Sequence, residues 1–286
     1  MKIAVTAASG QLGAAIVKAA SRLIGFENVI AVARAPERAK DLGVVVRPGS
    51  YDDRSALERA FAGIDTVLLV SGMDAPDRRV VQHRHVIEAA KAAGVQKVAY
   101  TSVQGPLVDS AFSPIVQSNR QTEEDLKVSG LAWVIGRNGI YIEPDVEYID
   151  KYAALGEIVN CAGNGLCGYT TRPELAYAYA RMLTQSSHSG QTYNLHGQRM
   201  TQATLAHHLS DAFGVALRYR DMDVESYRAD RIAELGEFIG NVVAGIYQGI
   251  REGAYDTPSD FGLAAGREHQ TWTDYFAAIK AGRVTH

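Results

Sequence analysis

The chain has 286 residues, 47% of them hydrophobic, enough for one large core or a core with a small satellite. A formal charge of −3 offers no basic stripe for nucleic acid. No apolar run reaches the roughly 18–20 residues that a membrane span needs, and Cys161 and Cys167 form neither a CxxC pair nor a disulfide framework. They read as ordinary buried thiols.

The opening MKIAVTAASG passes from a short strand straight into a glycine turn, without the longer apolar run and cleavage site of a signal peptide. A cytoplasmic location is therefore expected. Strand and helix signals then alternate. Apolar runs at Ile3–Thr6, Val29–Ala33, Val44–Arg47, Thr66–Val70, Lys97–Ser102 and Ala132–Ile135 predict strands. Helical spacing at Gln11–Leu23, 35–42, Arg54–Phe61, Arg79–Ala93 and Gln117–Val128 fills the intervals. Strands without polar alternation are buried on both faces, and strand–helix alternation implies a parallel sheet. The expected class is α/β: a doubly wound parallel-sheet Rossmann fold with a smaller C-terminal substrate lobe.

After Gly136 the rhythm loosens. Pro173–Leu183 and Gln202–Phe213 read as helices, Gln191–Leu195 and Leu217–Arg220 as strands. Glu225–Arg251 is mostly helical, with Gly236, Gly240, Gly245 and Gly249 arguing against one long helix. The expected division is a dinucleotide-binding core over residues 1–136 and a mixed part over 137–286 that completes the sheet and forms the substrate lobe.

Between the first strand and the first helix runs Thr6-Ala7-Ala8-Ser9-Gly10-Gln11-Leu12-Gly13, where a dinucleotide-binding turn belongs. The helix start offers free amides and the positive end of its dipole to a pyrophosphate. Gly10 lets the backbone approach phosphate, Gly13 lets the helix pack on the sheet, and Ser9 offers a hydroxyl. The second strand ends in Arg34, with Arg38 one turn later, where NAD sites usually carry an acid for the ribose 2′-hydroxyl. A guanidinium there suits a 2′-phosphate, so NADP(H) is the expected cofactor. Asp52, Ser71, Gly72 and Thr101 follow at the carboxyl edge of the sheet. Asp52 either accepts from the adenine amino group or caps the helix that starts near Arg54. Ser71 and Gly72 are expected beside the ribose and pyrophosphate.

None of the 14 tyrosines has Lys at i+4, which removes the proton-transferring Tyr–Lys pair of ordinary short-chain dehydrogenases. Ser102, Asn138 and Tyr141 remain as candidate catalytic-site residues: a polar contact, a carboxamide ligand and an aromatic wall for a planar acceptor. The histidines assemble no metal site, since His83 and His85 diverge on one helix and His207 and His208 are adjacent.

VTAASGQLG, AVARAPERA, VQHRHVIEAAKAAGVQKVAYTS, GRNGIY and YTTRPELAYA occur in that order. Together they resemble the NmrA-like branch of the atypical short-chain dehydrogenases, above all its quinone- and dye-reducing members. The resemblance implies a Rossmann domain with a small C-terminal lobe, substrate in the cleft between them, and a homodimer. Ala7 stands where the family usually has its first glycine, Ser50 where it has Asp, and Asn119 where the nearest reductases have His. The implied activity is hydride transfer from NADPH to a planar conjugated acceptor, a small aromatic or quinone-like molecule, which needs orientation more than a strong local acid. Two other readings stay open: reduction of an aromatic natural product or lignin-derived compound, and an NADP(H)-binding redox sensor without turnover.

Overall fold

The computed structural model describes residues 1–282. In chain order its main elements are β1 Ile3–Val5, α1 Gln11–Ile24, β2 Val29–Ala33, a 3-10 helix Pro36–Leu42, β3 Val45–Pro48, α2 Arg54–Ala60, β4 Thr66–Val70, α3 Pro76–Ala92, β5 Lys97–Val103, α4 Ser113–Lys127 and β6 Ala132–Asn138. Then follow β7 Ile140–Tyr141, α5 Glu143–Glu147, α6 Ile149–Leu155, β8 Glu157–Asn160, β9 Tyr169–Thr170, α7 Arg172–Thr184, β10 Gln191–Leu195, α8 Gln202–Phe213, β11 Arg218–Asp221, α9 Val224–Leu235, α10 Glu237–Arg251, α11 Phe261–Ala265 and α12 Trp272–Lys280.

Seven strands form one parallel sheet in the order β10-β6-β5-β4-β1-β2-β3. The reversal of strand order beside β1 is the switch point at which doubly wound sheets bind ligands. Apolar side chains on both faces of β1, β2 and β4 are buried, which is why these strands read as continuous apolar runs. On one face Ile3, Val5 and Leu68 pack against Leu12, Ile16 and Val17 of α1 and Leu175 and Tyr179 of α7. On the other, Ala4, Val67 and Leu69 pack against Leu57 of α2, Val86 of α3 and Leu126 of α4. Each fully buried Leu or Ile of this kind stabilises the fold by roughly 1.5–3 kcal/mol.

The predicted elements of residues 1–136 are present, with displaced ends. Helices α3 and α4 start earlier than their apolar spacing suggests, because Pro76 and Pro114 occupy the first turn, where a missing N–H costs nothing. The segment 35–42 winds as a 3-10 helix. Strand β6 runs on through Gly136 and Arg137 to Asn138, and β10 adds to its outer edge, so the C-terminal part does contribute a strand to the sheet.

The lobe has its own core around Ile142, Ile158, Tyr169, Leu205, Ile250 and Phe276. Helical residues 224–251 break once, at Gly236 (φ 80°), into α9 and α10. Within α10 the glycines are contact points. A Cβ on Gly245 would run into the Phe112 backbone, and one on Gly249 into the Pro106 ring.

Candidate functional site

The turn after β1 is built on a left-handed residue. Ala7 has φ 48°, a region that costs an L residue about 1–2 kcal/mol. The Gly10 amide donates to the Ala7 carbonyl at 3.0 Å and closes the turn. A Cβ on Gly13 would lie 2.5 Å from the same carbonyl oxygen, so α1 approaches the turn as only glycine allows. No side chain caps α1, and no acid sits in its first turn. Gly10 and Gln11 are exposed, Ser9 is half-buried, and Leu12 and Gly13 are buried. An open, uncapped helix start of 14 residues fits a phosphate-bearing dinucleotide. The Thr6 side chain is fully buried: its hydroxyl bonds the Tyr51 hydroxyl, donates to the Leu68 carbonyl at 2.8 Å and accepts from the Val70 amide at 3.0 Å.

Arg34 and Arg38, just beyond β2, are exposed, and neither forms an ion pair with another described residue. Asp52 accepts from Gln82 Nε2 at 3.0 Å and Arg78 Nη2 at 3.1 Å. The Gln82 hydrogen bond, then Arg78 and the nearby Arg34 charge, hold its carboxyl below the usual range, against a smaller upward push from burial. The cap of α2 falls not to Asp52 but to its neighbour Asp53, which accepts from the Ala56 amide at 2.9 Å.

At the ends of β4 and β5 the backbone is pinned by side chains. The Ser71 amide donates to Thr101 Oγ1 at 2.8 Å, and the Gly72 amide to His83 Nε2 at 2.9 Å. His83 Nδ1 lies 2.9 Å from Thr122 Oγ1. Burial, then the Arg79 charge, lower the His83 imidazole to about 3, so it is neutral, accepting at Nε2 and donating from Nδ1. Asn119, in the place of the family's histidine, is fully buried; its Oδ1 accepts from Ser71 Oγ at 3.0 Å and from the Tyr100 hydroxyl.

Ser102 is fully buried and belongs to an internal cluster. It donates to Glu123 Oε1 at 2.6 Å and accepts from Arg120 at 3.1 Å. Glu123, itself fully buried, takes a two-pronged grip from Arg137, with Nε at 3.0 Å and Nη2 at 2.6 Å. Burial pushes its carboxyl up, but the Arg137 hydrogen bonds and the Arg120 charge outweigh that and hold it below the usual range. Arg137 is thus the ion-pair partner of Glu123.

Asn138 closes the end of β6. Its Oδ1 accepts from the Tyr179 hydroxyl at 2.7 Å, and its Nδ2 donates to the Tyr141 hydroxyl at 3.2 Å. The Arg172 guanidinium lies 5.4 Å from the centre of the Tyr141 ring. Tyr141 also lines a cavity of about 380 Å³, together with Asp145, Tyr148, Tyr152, Tyr227 and Tyr247. Tyr148 and Tyr152 thus face this space.

Sequence reasoning passed over His83 as a backbone clamp, and over Tyr179 and Asp145. His83 was legible in principle: with Arg79, Gln82, Val86 and Ala90 it marks the buried stripe of α3. Asp145 carries no such signal, since EPDVEYID reads as a solvated acidic stretch. Cys161 and Cys167 are free and buried. Among the described residues, no group of three or more His, Cys, Asp or Glu is placed to hold a metal, and no helix is long and apolar enough to cross a membrane.

A family model described as NAD(P)H-binding matches residues 7–185. Quinone oxidoreductase 2 of Escherichia coli (strain K12) is 33% identical over 233 residues, 79% of this chain and 80% of that protein. An NmrA-like family domain-containing oxidoreductase of Aspergillus flavus is 30% identical over 78% of this chain and 76% of its own length. The crystal structure of Citrobacter sp. triphenylmethane reductase complexed with NADP(H) superposes with a TM-score of 0.89 at 30% identity, covering 99% of this chain and 100% of that one. Coverage of this extent, joined to the turn after β1 and the order of the sheet, places the chain in the NAD(P)H-binding family, on its NmrA-like branch.

Proposed function

We propose that the protein is an NADPH-dependent reductase that transfers hydride to a planar conjugated acceptor such as a quinone or a dye-like aromatic. The observation that carries this reading is the tyrosine-walled cavity of about 380 Å³ that shares Tyr141 with the carboxyl end of β6. Flat aromatic walls hold a planar acceptor by stacking and leave its orientation to a few polar atoms.

NADPH, when bound, supplies the hydride. The amides of Gly10, Gln11, Leu12 and Gly13, with Ser9, would take the pyrophosphate, and Arg34 the 2′-phosphate. Asp52, Ser71, Gly72 and Thr101 would border adenine, ribose and phosphates, with Thr6 holding the turn from inside. Asn138 has an amide group bonded on both sides and would orient the nicotinamide carboxamide or an acceptor oxygen, while Tyr141 forms the wall beside it. Ser102 acts at a remove, by fixing Glu123 and Arg137. No Tyr–Lys pair is needed where the acceptor is a cation that takes only hydride, or a quinone whose oxygen gains its proton separately.

The activity is tested by following NADPH oxidation with a panel of quinones and cationic dyes. Turnover with at least one class is expected. Tight NADP(H) binding without turnover across the panel would replace the reductase with a redox-sensing binder. The family likeness also suggests a homodimer in the cytoplasm, which light scattering and fractionation test.

A further inference from the structure

One carboxylate in the cavity wall has no counter-charge. Glu157 is held by Arg218 and Arg220, and Lys151 and Arg231 both pair with Glu234. Asp145, 5% exposed, forms no ion pair among the described residues. Its Oδ1 accepts from the Tyr152 hydroxyl at 2.9 Å and faces the Tyr247 hydroxyl at 3.5 Å. Arg172 of α7, the cation that packs on α5, pairs with Glu143 and Glu147 rather than with Asp145. The ionisable groups that surround Asp145 itself come from several elements. They are Tyr152 of α6, Cys167 before β9, Tyr169 of β9, Tyr227 of α9 and Tyr247 of α10. All five are pushed up by burial and stay protonated at neutral pH, so this ring of hydroxyls and a thiol contains no cation.

A buried carboxylate without a cation is costly unless it can take up a proton. Asp145 and Tyr152 both line the cavity, so the proton has a path to whatever occupies it. We propose that Asp145, acting through the Tyr152 hydroxyl, stores and delivers the proton that a quinone acceptor takes up after hydride transfer. This rests on the reductase reading given above. Two-electron reduction of a quinone by hydride from NADPH leaves an oxyanion. The Tyr152 O–H bond breaks as a new O–H bond forms on that oxyanion, and the Asp145 carboxyl proton passes to the Tyr152 oxygen. Water returns a proton to the carboxylate. Desolvation pushes the carboxyl up to about 6, where it is protonated for part of the time near neutrality.

A cationic triphenylmethane dye accepts hydride and needs no proton, so the two acceptor classes separate the roles. NADPH oxidation by the wild type, Asp145→Asn and Tyr152→Phe is measured with a neutral quinone and with such a dye from pH 5 to 8. In the wild type, the quinone rate is expected to fall as pH rises past about 6, and the dye rate is not. Each variant should lower the quinone-to-dye rate ratio by about 100-fold, with a flat quinone profile. Infrared titration of the cofactor-free protein should show a carboxyl band titrating near 6 that survives in Tyr152→Phe and disappears in Asp145→Asn. Equal losses on both acceptors, a loss confined to the dye, an unchanged quinone profile, or absence of the band each overturns the relay. A wild type that binds NADPH but reduces neither acceptor removes the reductase reading itself, whatever the infrared titration shows.

Discussion

Gly13 and Ala7 meet across the turn after β1, where a Cβ on Gly13 would stand 2.5 Å from the Ala7 carbonyl oxygen and 3.0 Å from its carbon. The contact sets how closely α1 sits on the sheet and hence where its first amides point. Both atoms opposite the intruding methyl are backbone, so nothing small can swing aside. Gly13→Ala should cost about 1–3 kcal/mol in urea unfolding and weaken NADPH binding at least tenfold. A variant within about 0.5 kcal/mol of the wild type would show that the turn relaxes freely.

Ala7 itself occupies the left-handed region at φ 48°, where the family usually has glycine. Glycine removes a steric cost of about 1–2 kcal/mol, offset by the about 0.4–1 kcal/mol that its freer unfolded chain gives back. Ala7→Gly should therefore stabilise the protein by up to about 1.5 kcal/mol, read as a higher urea midpoint at unchanged slope. A lower midpoint would mean that the Ala7 methyl makes packing contacts that outweigh its strain.

Arg34 is exposed, forms no ion pair with a described residue, and lies near enough to Asp52 for its charge to act on that carboxyl. Arg34→Asp should lower the NADPH-to-NADH affinity ratio by about 10–100-fold, the worth of a charge-assisted hydrogen bond of about 1.5–3 kcal/mol. The change should fall on NADPH and shrink at high salt. Isothermal titration with both cofactors decides, and an unchanged ratio removes Arg34 from the 2′-phosphate.

The sheet was legible because its central strands β1, β2, β4 and β5 are buried on both faces and read as short apolar runs between helical stretches, whereas the edge strand β3 was read the same way but is largely exposed. So was the turn at Gly10 and Gly13, a local feature of nine residues around one strand end. The lobe was not. Helices α5 and α6 lie in a stretch rich in charge, and the hydrogen-bond partners of the buried Asp145, Tyr152, Tyr169 and Tyr247, arrive from three other elements. Ser102 shows the same limit. As a strand-end hydroxyl it invited a role at the cleft, but Glu123, 21 residues on, turns it inward. Propensity and spacing carry local structure, whereas the partners of a buried polar group come from pairings that no window of the sequence contains.

His83 links the Gly72 amide to Thr122 from inside the protein, and it does so as a neutral ring. Its imidazole is lowered from 6.5 to about 3, first by burial and then by Arg79. The folded state thus binds this proton less readily than the unfolded chain. The stabilisation is fully present above pH 6.5 and is lost as pH falls toward 3, at about 1.4 kcal/mol per pH unit. At pH 5 the loss from this group alone is about 2 kcal/mol. Other histidines and carboxylates titrate in the same range, so the difference between wild type and His83→Gln isolates the term. Glutamine can still accept from Gly72 and donate to Thr122 but takes up no proton. Urea unfolding at pH 7 and pH 5 should show the wild type losing about 2 kcal/mol more than the variant. Parallel losses in the two proteins would mean that His83 titrates normally in the fold and that the Gly72 clamp does not depend on a neutral ring.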